Sequence, residues 1–190
     1  MRLKDDNKKQ AIYRAAMSVV TEQGLAGASM SKIGRAAGVS ASTLYVYFEN
    51  KEDMLNKLYV MLKEESANAY FGDVNSDTSV KSVFCQYIRN MFAFFIANPI
   101  MFSFQEQFKN SPNVSAQARA RGLECDAPLH ELYTRAVTEG LVVSYPKPVV
   151  HALTIAPITY LLQAHLNREI EVDAQLLEAT VDMAWRAVSR

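Results

Sequence analysis

Residues 29–55 read SMSKIGRAAGVSASTLYVYFENKEDML, and the fold turns on how this stretch is read. Ile33, Ala37, Val39, Leu44 and Phe48 are spaced to close a small core between two short helices, over 31–37 and 41–48. Gly38 supplies the left-handed backbone that a tight turn between them needs. Ser40 stands where a hydroxyl caps the second helix, and Asn50 where an amide caps the next. Glu52 and Asp53 then suit the positive end of that third helix. Outside the core the second helix presents Ala41, Ser42, Thr43, Tyr45, Val46 and Tyr47. Short side chains allow close approach, hydroxyls donate to phosphate oxygens, and a major groove about 12 Å wide admits a helix.

Helical spacing extends on both sides. Ile12, Ala16, Val19 and Val20 share a face that Gly24 stops. The helix after Asn50 runs to about residue 71, and a polar loop is expected at 72–79. Val80, Val83, Phe84, Tyr87, Ile88, Met91, Phe92 and Phe95 form a stripe that Asn98-Pro99 breaks. A short helix follows to Phe108, then another over 114–124, and one from Asp126 to a stop at Gly140. Tyr145-Pro146 opens an uncharged helix over 148–167. Asp173 caps the last, with Leu176, Leu177, Thr180, Val181, Ala184 and Val188 on one side. The reading is all-α: a helix-turn-helix domain over 1–50 and a helical body over 51–190.

Composition agrees. The 190 residues are 49% apolar with 7 Gly and 6 Pro, which excludes collagen-like, low-complexity and disordered classes. Net charge is zero, but residues 1–51 hold eight basic and four acidic side chains, a local +4 that fits a polyanion partner for this end alone. Two cysteines, Cys85 and Cys125, make no disulfide framework, so a reducing, cytoplasmic setting is expected. The 148–167 helix carries His151, Thr154, Gln163, His165 and a central Pro157. A helix apolar nearly all round in a soluble chain is usually buried, often between subunits, and no membrane partner is expected.

The Ile33…Ala37-Gly38-Val39-Ser40 run, Thr43-Leu44-Tyr45, Tyr47-Phe48 and Lys51-Glu52 together resemble the DNA-binding domain of the tetracycline-repressor (TetR-type) regulators. Gly34 and Ser42 depart from its commonest pattern, which has Ala and Gly there. Glycine at 34 should soften its helix by up to about 1 kcal/mol relative to alanine. The resemblance implies that Ser29, Thr43, Tyr45, Tyr47 and Lys51 hold phosphates. It implies that Ser31, Lys32, Ala41, Ser42, Val46 and Tyr47 face base edges. Residues 41–48 contain no Arg, Lys, Asn or Gln, the side chains that read purines bidentately. DNA shape is therefore expected to carry much of the specificity.

The resemblance also implies an effector pocket in the body and a two-fold dimer through the last two helices. Seven of the nine phenylalanines fall between residues 84 and 108, with Met91 and Met101 among them. An aromatic and methionine lining suits an apolar or aromatic effector. Tyr87, Met91, Phe92, Phe95, Met101 and Phe102 are the candidates, with Glu106 and Tyr133 as polar partners. The expected partners are double-stranded DNA, that small molecule and a second copy of the chain. An enzyme is not expected: His130-Glu131 begins an HExxH pattern, but Thr134 takes the second histidine's place. No catalytic residue, metal site or cofactor is assigned. The alternative is a helical ligand-binding or scaffold protein whose helix-turn-helix is unused.

Overall fold

The computed structural model describes residues 2–72 and 78–190, with side chains from residue 7 onward. Most of the loop expected at 72–79 lies outside them. Ten helices are described: α1 (Arg2–Gly27), α2 (Met30–Ala36), α3 (Ala41–Tyr47), α4 (Lys51–Phe71), α5 (Val80–Ala97), α6 (Pro99–Lys109), α7 (Ala116–Cys125), α8 (Ala127–Thr138), α9 (Lys147–Leu166) and α10 (Ala174–Arg186). Among the described residues there is no strand, only an isolated antiparallel bridge between Val142 and Ser189. The fold is all-α.

Most ends fall where the caps predict. Asn50 Oδ1 accepts the Asp53 N–H at 2.8 Å, and Asp173 Oδ1 accepts the Leu176 N–H at 2.7 Å. Ser79 Oγ caps α5 in the same way, through the Ser82 N–H at 3.3 Å. Gly24 breaks α1 as expected, with φ 72° and ψ 168°, but one more turn follows before the helix ends at Gly27. That turn is held by the Ala28 N–H donating to Gly24 O at 3.2 Å.

By packing, the chain forms two compact units that divide within α4, after Glu64, and within α7, after Leu123. The first comprises Met1–Glu64 and Pro99–Leu123. Here α1 packs on α2 and on α6, and α2 on α3. Ile12, Ala16, Val20, Ile33, Leu44, Met54, Leu58, Phe104 and Phe108 are fully buried in it. The Phe108 ring stacks on Phe104 at 5.5 Å and meets Tyr59 at 5.5 Å. A Cβ on Gly122 of α7 would stand 3.2 Å from the Tyr59 hydroxyl, so α7 lies close over that ring because residue 122 has no side chain.

The second unit comprises Glu65–Asn98 and Glu124–Arg190, with α5 packed on α8, α9 and α10. Tyr87, Ile88, Met91, Phe92 and Phe95 are its buried stripe on α5, and Ile158 and Leu162 are buried on α9. A smaller apolar cluster holds Val80, Ala136, Val142 and Val188. It is closed by the chain's end: the Val143 N–H donates to Val188 O at 2.9 Å and the Arg190 N–H to Leu141 O at 3.1 Å.

Candidate nucleic-acid interface and ligand cavity

The turn between α2 and α3 is built as the sequence requires. Gly38 takes φ 68°. Ser40 Oγ accepts the Thr43 N–H at 3.2 Å and lies 2.8 and 2.9 Å from the Ser42 and Thr43 hydroxyls. Leu44 and Phe48 face inward and are buried, while Val46 is 78% and Tyr45 58% exposed. Ser42 is exposed and Ala41, Thr43 and Tyr47 are half-buried. Tyr47 lies against Phe48 with ring centres 6.3 Å apart. Six candidate contact residues thus share one short helix, and Ser31 and Lys32 are exposed on α2 beside it.

Gly34 has a structural reason. A Cβ there would stand 3.0 Å from Val39 O and 3.4 Å from Ala41 N, so glycine lets the turn settle onto α2. The Val39 N–H donates to Gly34 O at 2.9 Å across that contact.

The two candidate lysines have partners that sequence spacing does not reveal. Lys32 Nζ donates to Gln23 Oε1 at 2.7 Å and Gly27 O at 2.8 Å. Lys51 Nζ donates to Leu25 O and Ala28 O, each at 3.3 Å. Both ammonium groups therefore serve carbonyls at or just past the end of α1, where positive charge is favoured by the helix dipole. Lys51 is 25% exposed, so it reaches solvent from this position. Ser29 caps α2 by accepting the Lys32 N–H at 3.3 Å.

Two groups behind the interface are shifted. Burial pushes the Tyr13 hydroxyl up to about 12, with Asp53 adding to it. Burial also acts to raise Asp53, but the hydrogen bonds from Lys57 and the Glu49 N–H, with the charge of Lys57, outweigh it and hold this carboxyl below its ordinary value. Asp53 Oδ2 accepts Lys57 Nζ at 2.8 Å and the Glu49 N–H at 3.0 Å, which fixes the start of α4.

The aromatic run is divided between the two units. Tyr87, Met91, Phe92 and Phe95 are buried on α5 in the second unit, whereas Met101 and Phe102 are buried on α6 in the first. Glu106 accepts Lys109 Nζ on its own helix. Of the expected pocket residues only Tyr133 lines the apolar cavity of the second unit, a space of about 100 Å³. Its walls are Val80 and Phe84 of α5, Ala136 of α8, Val150 and Ile155 of α9, and Val142, Trp185 and Val188. Tyr133 closes it at one side, with its hydroxyl accepting the Tyr145 N–H at 2.9 Å and lying 2.9 Å from Tyr145 O. No sequence spacing links these residues, because they come from five segments. Among the described residues no group of His, Cys, Asp and Glu could hold a metal ion.

Residues 12–58 match the family model for bacterial regulatory proteins of the tetR family, and residues 80–189 match the tetracyclin repressor-like C-terminal domain. A TetR family transcription regulator from Marinobacter aquaeolei VT8 has the same fold at a TM-score of 0.93 and 27% identity, covering 100% of this chain and 99% of that one. An uncharacterised HTH-type transcriptional regulator of Haemophilus influenzae is 22% identical over 191 residues, the full length of both chains. The transcriptional regulator FadR of Bacillus subtilis, solved in complex with stearoyl-CoA, shares the fold at a TM-score of 0.74 and 19% identity, covering 95% of this chain and 97% of that one. Both halves of the sequence thus carry matching domains, and the chain belongs to the TetR family of bacterial regulatory proteins, which are transcription regulators and not enzymes.

Proposed function

We propose that the chain represses transcription by holding a near-palindromic operator as a homodimer in the cytoplasm, and releases it when a small apolar or aromatic effector binds its body. The observation that carries the DNA reading is the outward face of α3, where Val46 and Tyr45 stand 78% and 58% exposed while Leu44 and Phe48 take all the core duty. A short helix with large apolar groups turned to solvent and no acidic side chain is suited to a groove rather than to water. In this reading Ser29, Thr43, Tyr45, Tyr47 and Lys51 hold phosphates, and Ser31, Lys32, Ala41, Ser42, Val46 and Tyr47 face bases. Lys51 exchanges its carbonyl partners for a phosphate.

The dimer is supported by an uncovered apolar face. Val149, Leu153 and Tyr160 of α9 are 41%, 38% and 75% exposed, and Met183 of α10 is 55% exposed. The 149, 153 and 160 positions fall at i, i+4 and i+11, one side of a helix. That helix meets the length and composition of a membrane span, with a mean hydropathy of 1.3. A second copy of the chain covers such a face equally well, and a two-fold partner is what a near-palindromic site demands. The effector reading is supported by the apolar cavity, and by the fact that the same fold holds a ligand, a larger one, in the Bacillus subtilis protein.

Purified protein titrated onto fragments of its own promoter region, across a salt series, tests the reading. Specific binding that weakens steeply as salt rises is expected, through counterion release. Weak, salt-insensitive association with every fragment would favour the alternative of a ligand-binding protein with an idle helix-turn-helix.

A further inference from the structure

We infer that the cavity of the second unit binds a compact monocarboxylate, with its apolar body inside and its carboxylate at a basic rim. The inference rests on the effector reading above and gives it a chemical class. Three observations carry it. The floor is apolar and closed, since Val80, Val142 and Val188 are 1%, 2% and 4% exposed. The rim is basic: Lys147 and His151 are exposed on the first turn of α9, and His130 is half-buried on α8. No aspartate or glutamate is among the residues lining the cavity.

These features select against the other small amphiphiles. An alkylammonium would meet Lys147 at the rim and no acid among the lining residues to offset it. A neutral alcohol would use one donor or acceptor and leave the cationic rim solvated. A carboxylate accepts from Lys147 and from a histidine ring N–H, which is present whether or not the ring is charged. It also lies near the start of α9, where the dipole favours an anion and no side chain caps the helix. Size excludes long chains. An apolar cavity of about 150 Å³ takes up benzene in another protein, so a space of about 100 Å³ holds a body of at most about six carbons and not eighteen. A long acyl chain would have to prise Tyr133 from Tyr145 and part the bridge between Val142 and Ser189.

Trp185 is the only tryptophan and lines the cavity, so its fluorescence reports occupancy of this site in the full-length protein. Hexanoate is expected to give a saturable change, with hexanol roughly tenfold weaker and hexylamine without effect. The double variant Lys147→Gln, His151→Gln changes two exposed side chains. It should weaken hexanoate several-fold, toward the affinity of hexanol, and leave hexanol unaltered. The inference is overturned if hexanoate gives no saturable signal, if the three probes bind alike, if the double variant binds hexanoate as well as the parent, or if only stearoyl-CoA responds. Operator affinity, measured with and without hexanoate, is read separately. A saturable signal that leaves operator affinity unchanged upholds the site and removes its regulatory role.

Discussion

At Gly34 two local effects oppose each other. Alanine is the better helix former by up to about 1 kcal/mol, yet its Cβ would press on Val39 O at 3.0 Å. Gly34→Ala should therefore leave the melting temperature within a few degrees of the parent, whereas Gly34→Leu should cost about 1–3 kcal/mol by overpacking the turn. A thermal melt of both variants checks this, and equal tolerance of leucine would mean that the turn does not rest on α2. Lys51 poses a different question, since its ammonium group already has two carbonyl partners. The sequence marks it as a phosphate ligand, but those partners come from the end of α1 and the residue just past it, 26 and 23 residues away, and no local pattern encodes them. Lys51→Ala should weaken DNA binding about equally for all sequences and lower the slope of log affinity against log salt by about 1 per protomer. A loss of thermal stability with an unchanged salt slope would make it a helix clasp only.

Among the elements, α4 shows how much of a helix is written locally and how much is not. Its start is legible from Asn50, Glu52 and Asp53, because a cap and the dipole act within one turn. The same holds for α3 and α10, begun by Ser40 and Asp173, while Ser29 and Ser79 cap α2 and α5 through the same bond without being marked by the sequence reading. Asp53 also gives a pH signature. Its folded-state carboxyl is held below the ordinary value, so its contribution is present at neutral pH and is lost as pH falls through the folded value. Asp53→Asn should lower the melting temperature by about 2–4 °C at pH 7, for a loss near 1 kcal/mol. The gap to the parent should close on acidification below the folded-state value of this carboxyl, and a gap that persists there would show that the charge is not its source. What α5 and α6 pack against was not legible. Periodicity marks the face of each helix that is apolar, but not its partner. Seven phenylalanines close in sequence are therefore shared between two units: Phe102, Phe104 and Phe108 fill the core around α1 and α4, and Phe84, Phe92, Phe94 and Phe95 belong to the other. The cavity is illegible for the same reason, and of its lining only Tyr133 is among the expected pocket residues.

For the whole molecule, the helix-turn-helix was legible because its core, turn and caps lie within thirty residues, and a polyanion partner was legible because the basic excess lies in residues 1–51. The dimer stands between these. The sequence marks an uncharged helix, and the folded chain leaves one side of it bare, with Leu153 38% and Tyr160 75% exposed. Leu153→Glu with Tyr160→Glu places two carboxylates on a face that water already reaches, so the single chain should keep its fold and lose no more than about 1 kcal/mol. Facing its copy across a two-fold axis, the same face would carry four like charges at close range, and association should fail. Sedimentation velocity is expected to show a dimer for the parent and a monomer for the variant. Operator affinity should then fall toward the nonspecific level, by about 10³-fold or more. The salt slope should fall to about half, because a monomer neutralises the phosphates of one half-site only. A variant that sediments as a monomer but keeps the parent's affinity and slope would place recognition in a single helix-turn-helix, and the requirement for a near-palindromic operator would go with it.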